Sequence, residues 1–315
     1  MLVRKKGKNY KKIVTFLCMF LFSIFMLTGC VDQSGGGQTG EETDGVISES
    51  NDDTINDSPR VIATSMAVVE ICDKLGIDLV GVPESSLTEL PERYEGIDTI
   101  GTPMSPDIEL LSAKKPDWIL SPVSLISDLQ PKYEELDTEY AFLNLNSVQG
   151  MYKSIVQLGQ IFGKEEEAQA LVDEFTSFYD SYQKTNEEKE AKTVLILMGL
   201  PGSYVVATEN SYVGSLVAMA GGKNVYAGEE ADFLNINTED MLKKDPDIIL
   251  RTAHALPDQV MEMFAEEFKT NDIWKHFKAV ENDKVYDLSY EKFGMSANFN
   301  YQEALEELQT ILYGE

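Results

Sequence analysis

Lys115-Pro116-Asp117-Trp118-Ile119-Leu120 recurs 130 positions later as Asp245-Pro246-Asp247-Ile248-Ile249-Leu250, and each copy follows a helix-like segment, 107–114 and 238–244. Proline breaks a helix from within, so both copies read as helix, Pro-Asp turn, buried strand. The echo continues upstream. Ile62-Ala63-Thr64 precedes an apolar-periodic stretch ending at Gly76, and Val206-Ala207-Thr208 precedes one ending at Gly221-Gly222. The same order of elements in both halves predicts two lobes of similar architecture.

Outward from the repeat, short apolar runs at 61–64, 79–82, 118–121, 140–145, 193–198, 204–207, 248–251 and 284–288 alternate with longer amphipathic stretches. That rhythm is α/β. Between the halves, residues 148–186 hold few breakers, only Gly150, Gly159 and Gly163, with apolar residues at helical spacing. The expected architecture is an N-terminal lobe at 60–147 and a C-terminal lobe at 187–315, joined by one long backbone helix at 148–186. Its ligand is expected in the cleft between the lobes, where domain boundaries commonly place binding sites.

The chain has 315 residues and a formal net charge of -28. Residues 1–29 carry six basic and no acidic side chains, so without them 20 Lys and Arg face 54 Asp and Glu, a net charge of -34. Such a body is repelled by phosphate backbones, which argues against nucleic-acid binding. The basic start, the apolar run 13–26 and Leu27-Thr28-Gly29-Cys30 read as a signal peptide over 1–29. The run is shorter than the ~20 residues of a transmembrane helix. Residues 31–59 hold eight acidic residues and five glycines with almost no large apolar side chains, so 30–59 reads as a disordered acidic tether. Of the cysteines, only Cys72 remains in the folded part, which excludes an intrachain disulfide or a cysteine-held metal there.

The folded part contains no G-x-S-x-G, P-loop, G-x-G-x-x-G or H-E-x-x-H and only two histidines, His254 and His276. No nucleophile–base pair stands out, so an enzyme is not expected. His254 lies four residues after Leu250, on a loop at a strand's carboxyl end, where open α/β sheets bind ligands. His276 reads as part of an amphipathic helix with a structural role. Met104, in Gly101-Thr102-Pro103-Met104-Ser105-Pro106-Asp107, lies in a breaker-rich loop with no helical stripe to explain it. A histidine and a methionine from opposite lobes have the donor chemistry for both axial positions of a haem iron, and the soft sulfur disfavours a hard-metal site.

From about residue 60 to 313 the sequence resembles the ABC-importer substrate-binding proteins for siderophores, haem and cobalamin, the class III periplasmic-binding-protein-like family. Within it, it is most similar to the haem-binding lipoproteins of Gram-positive iron-regulated surface determinant systems. The resemblance is carried by Asp78-Leu79-Val80-Gly81-Val82-Pro83, Pro103-Met104-Ser105-Pro106-Asp107, Leu195-Ile196-Leu197-Met198-Gly199 with Pro201-Gly202-Ser203-Tyr204, and Asn271-Asp272-Ile273-Trp274-Lys275-His276-Phe277. It implies axial ligation of haem iron by Met104 and His254. It implies propionates near Ser65, Met66 and Ala67 at a helix amino end, with Tyr204 as a further wall of the haem site. It also implies a lipid on Cys30 of a Gram-positive lipobox, so that the mature protein is a monomer anchored on the outer face of the cell membrane. One acidic residue per lobe, Glu109 and Glu239, each eight positions before the repeated Asp117 and Asp247, is expected to dock on the permease of the importer, which works with its ATPase. An upstream cell-wall haem donor is a further expected partner. The same fold also serves ferric siderophores and cobalamin, and siderophore binders usually use Arg and Tyr.

Overall fold

The structure is a computed structural model and describes residues 3–4, 58–186 and 188–314. The expected signal segment, Cys30 and the tether up to residue 57 lie outside the described residues, apart from Val3–Arg4. That pair forms β1, which runs antiparallel to Phe142 and Ala141.

The first lobe continues with β2 (Val61–Ala63), α1 (Met66–Lys74), β3 (Leu79–Gly81), β4 (Gly101–Thr102), β5 (Ser105–Pro106), α2 (Ile108–Ala113), β6 (Trp118–Pro122), α3 (Ile126–Glu134) and β7 (Glu139–Leu143). Its sheet has the order β1-β7-β6-β2-β3, and β7, β6, β2 and β3 are parallel. After the linking segment come β8 (Thr193–Leu200), β9 (Ser203–Ala207), α6 (Tyr212–Met219), β10 (Lys223–Asn224), β11 (Phe233–Leu234), α7 (Thr238–Lys244), β12 (Ile248–Ala253), α8 (Pro257–Thr270), α9 (Lys278–Glu281), β13 (Val285–Asp287), α10 (Tyr290–Phe293) and α11 (Tyr301–Tyr313). The second sheet runs β11-β9-β8-β12-β13, with β10 also paired to β8. Its strands β8, β12 and β13 are parallel. Each of the eight apolar runs becomes a strand.

The linking segment differs from the expectation of one helix. It is two helices, α4 (Val148–Phe162) and α5 (Glu165–Asn186). Gly163 ends α4 in the left-handed region at φ 66°, its amide donating to the Gly159 carbonyl, a geometry that costs glycine little. Glu165, Glu166 and Glu167 then fill the first turn of α5, where negative charge favours a new helix start. A Cβ on Gly159 would lie 2.8 Å from that of Ala168, so glycine also permits the close approach of the two helices.

Strand side chains alternate between layers, as period-two geometry requires. In β8, Val194, Ile196 and Met198 face one apolar core, while Leu195 and Leu197 face another. In the first sheet, Val61, Ala63 and Leu120 join the same core as Val194, while Ile62, Ile119 and Phe142 join a third. Both faces of the parallel strands in each sheet are therefore covered, which explains the nearly continuous apolar runs. One core, reaching from Val68 of α1 through Met151 and Ile155 of α4 to Leu216 of α6 and Leu305 of α11, is shared by both lobes. Its polar seam is closed by a hydrogen bond between the Tyr152 and Tyr301 hydroxyls at 3.1 Å.

The repeat has a physical counterpart. Asp117 accepts the Arg60 amide at 2.7 Å and Asp247 accepts the Thr193 amide at 2.8 Å, so each turn aspartate caps the entry to a neighbouring strand. Lys115 and Asp245, just before the two prolines, both take positive φ, at 46° and 45°.

Candidate functional site

In both sheets the parallel strands point their carboxyl ends to the side where the expected site residues emerge. His254 directly follows β12, and its amide donates to the Gly199 carbonyl at 2.9 Å, which continues the β12–β8 pairing one residue beyond the strand. Pro257 then starts α8, so the imidazole sits on a three-residue connection fixed at both ends. Its Nδ1 is buried with no hydrogen-bond partner among the protein atoms. Burial lowers the pKa of the ring below the ordinary imidazole value, because a charged imidazolium there would lose hydration. A neutral imidazole is the form that ligates iron.

Met104 occupies the tip of a hairpin, where Gly101 pairs with Pro106 and Thr102 with Ser105. The hairpin lies beyond the carboxyl end of β3, since Val82 bridges Thr99 in parallel and the Glu84 amide donates to the Gly101 carbonyl at 2.9 Å. The Asp107 amide ties its base to the buried Ile100. The thioether is thus held on a supported loop and is 64% exposed.

Ser65 is the N-cap of α1 and accepts the Val68 amide. The first amides of the helix, including those of Met66 and Ala67, have no intrahelical acceptor by helix geometry. Beneath this turn the Thr64 and Ser121 hydroxyls share a hydrogen bond of 2.7 Å, and Ser121 continues to Tyr133 at 3.0 Å. This buried polar chain fixes the carboxyl ends of β2 and β6, and no sequence pattern announced it. Met66 and Ala67 are partly buried against the shared core, so Met66 packs there.

Tyr204 lies opposite Gly199 in the sheet, and its ring tilts onto Phe264 and Trp274 at 5.8 and 6.2 Å. Its hydroxyl donates to Glu267 at 3.3 Å. Glu267 also accepts from Asn271 and Trp274, so Tyr204 belongs to the packing under α8. His276 ends a short 3-10 helix, Asp272–His276, rather than an amphipathic α-helix, and it is exposed.

Glu109 and Glu239 are both exposed, and both are the second residue of their helices, behind the caps Asp107 and Asn237. The two lobes thus present a carboxylate at equivalent positions. Two surface hollows of about 470 and 690 Å³ lie elsewhere on the first lobe and include neither Met104 nor His254. They are open depressions beside Lys114 and the 83–95 loop. Among the described residues no group of three or more His, Cys, Asp or Glu side chains is placed to hold a bare metal ion. Among them, too, no helix is long and apolar enough to cross a membrane.

Comparison with known proteins follows the same lines. A family model described as periplasmic binding protein matches residues 61–291. The high-affinity heme uptake system protein IsdE of Staphylococcus aureus strain Newman is 39% identical over 303 residues, covering 96% of this chain and 98% of the relative. The crystal structure of S. aureus IsdE complexed with heme aligns at a TM-score of 0.77 and 42% identity, over 81% of this chain and 99% of that one. An ABC transporter substrate-binding protein from Listeria monocytogenes EGD-e aligns at 0.78 and 47% identity, over 82% and 100%. The two-sheet fold, the strand-end loops and these matches together make the chain a member of the class III periplasmic binding protein family, a substrate-binding protein and not an enzyme.

Proposed function

We propose that this chain is the lipid-anchored extracellular receptor of an ABC haem importer, which takes one haem as cargo between its lobes and delivers it to the permease. The observation that carries this reading is His254, held on a fixed loop at the carboxyl end of β12 with its Nδ1 buried and without a hydrogen-bond partner among the protein atoms. Likeness to IsdE, whose solved structure is a complex with heme, supports it.

His254 supplies the stronger axial donor and Met104, from the opposite lobe, the weaker thioether. Such a pair fills both open positions of the iron, raises its potential and disfavours oxygen chemistry. The first turn of α1 at Ser65, Met66 and Ala67 offers free amides and a favourable dipole to the propionates. Tyr204 acts from behind the site, through its packing on Phe264, more than as an open wall. A lipid on Cys30 holds the monomer on the outer face of the cell membrane, with a cell-wall haem donor upstream. Glu109 and Glu239 meet basic pockets on a two-fold permease, where charge sets register and on-rate.

A binding panel tests the reading. Haem should bind with saturation at one equivalent, while cobalamin and a ferric hydroxamate should not. Saturable binding of either competitor without haem would move the chain to another cargo of the same fold. The Glu109→Ala, Glu239→Ala double variant should bind haem normally yet fail to support uptake by cells.

A further inference from the structure

Four large apolar side chains are exposed among the described residues: Leu87, Met104, Leu110 and Leu256. Met104 is the candidate thioether ligand, and Leu256 lies two residues beyond the candidate imidazole. Leu256 is costly where it stands. Its φ is +48°, in the left-handed region that leucine rarely adopts, and it precedes Pro257, which further restricts the backbone. Its side chain makes no cap to α8 and is 50% exposed. Its carbonyl does accept the Val260 amide at 3.1 Å, so the backbone has a role in starting the helix. Glycine or asparagine would fill that role with less strain. The leucine side chain gains little packing within the fold to offset the cost. Strained non-glycine residues of this kind concentrate at functional sites.

The place of the residue indicates what it meets. Two residues of chain span at most about 7 Å, so the Leu256 and His254 α-carbons are no farther apart than this. A porphyrin ligated through its central iron extends over a comparable distance in its own plane, and its face is apolar. We propose that Leu256 is a cargo-contacting residue that rests on the macrocycle on the His254 side and excludes water from the iron–imidazole bond. It thereby sets the lifetime of bound haem. The inference rests on the haem reading of the site and adds a residue that selects for a flat apolar ligand over a hydrated one.

The test uses Leu256→Asn and Leu256→Gly, both of which suit the left-handed backbone. Haem is loaded on wild type and variants, and its loss to excess apomyoglobin is followed by absorption, beside thermal unfolding of the unliganded proteins. Both variants should lose haem about tenfold faster, in line with the loss of a leucine-sized apolar contact. They should keep the wild-type band shape, since His254 is untouched, and should melt no lower without haem. Wild-type loss rates in both variants would overturn the role of Leu256 and leave the haem reading intact. Lower melting with unchanged loss rates would make Leu256 a packing residue and overturn the proposal equally. Failure of the wild type to bind haem at all would overturn both.

Discussion

The Asn146 side-chain amide donates to the Asp232 carboxylate at 2.8 Å, joining the loop after β7 of the first sheet to the residue before β11 of the second. It is a polar tie between the lobes, beside the apolar core that they share. Burial raises the pKa of Asp232, partly offset by the Asn146 hydrogen bond. The folded protein therefore holds this proton more tightly than the unfolded chain. The resulting stability is full below the unfolded value near 3.9 and is lost as pH rises through the folded value. Asp232→Asn removes the charge and keeps an amide to meet Asn146. Its melting temperature relative to wild type should rise between pH 3.5 and pH 7; a difference that does not depend on pH would refute this account of Asp232.

His254 has the opposite sign. Its pKa is lowered by burial, so the folded protein resists a proton that the unfolded chain accepts below about 6.5. Stability falls as pH drops through the unfolded value and levels off below the folded one. In the unliganded protein an NMR titration of His254 should give a midpoint under 6.5, and a midpoint at or above 6.5 would count against a buried neutral imidazole.

Gly199 holds the His254 loop through its carbonyl and lets α8 pack directly on the sheet. A Cβ there would lie 2.2 Å from Val260 Cγ1 and 2.7 Å from Phe264 Cε2. Gly199→Ala should destabilise the protein by about 1–3 kcal/mol through overpacking, read by denaturant unfolding. The haem spectrum should change as well, since α8 starts three residues past the imidazole. Wild-type stability would show that α8 yields more easily than its packing implies.

Cys72 is fully buried, and burial pushes its thiol up to about 12. The thiolate is the reactive form, so the body from residue 60 should show no reactive thiol when native and one when unfolded. Reaction of the native protein with a thiol reagent would mean that α1 opens readily.

The strands were legible because buried parallel strands leave unbroken apolar runs, and the Pro-Asp repeat was legible because its turns are local. The aspartates of that repeat cap strand entries, a role that explains the recurrence at Asp117 and Asp247. Gly163 was read as a tolerated breaker in one long helix; the three glutamates after it were the overlooked sign of a new helix start. The Met104 hairpin escaped because its strands are two residues each, too short for periodicity. Tyr204 was assigned by resemblance, and its surroundings depend on a register, Gly199 opposite Tyr204, that only pairing reveals. Asn146 and Asp232 lie 86 residues apart, and nothing local in either segment points to the other.

The most direct measurement of the central claim is an absorption titration of the protein with haem, repeated on His254→Ala and Met104→Ala. The account predicts a saturable Soret shift at one equivalent with low-spin bands. Those bands should be lost with weakened binding in His254→Ala, and altered with a smaller loss of affinity in Met104→Ala. A wild type with no saturable shift, or a His254→Ala spectrum identical to it, would contradict haem ligation at this site.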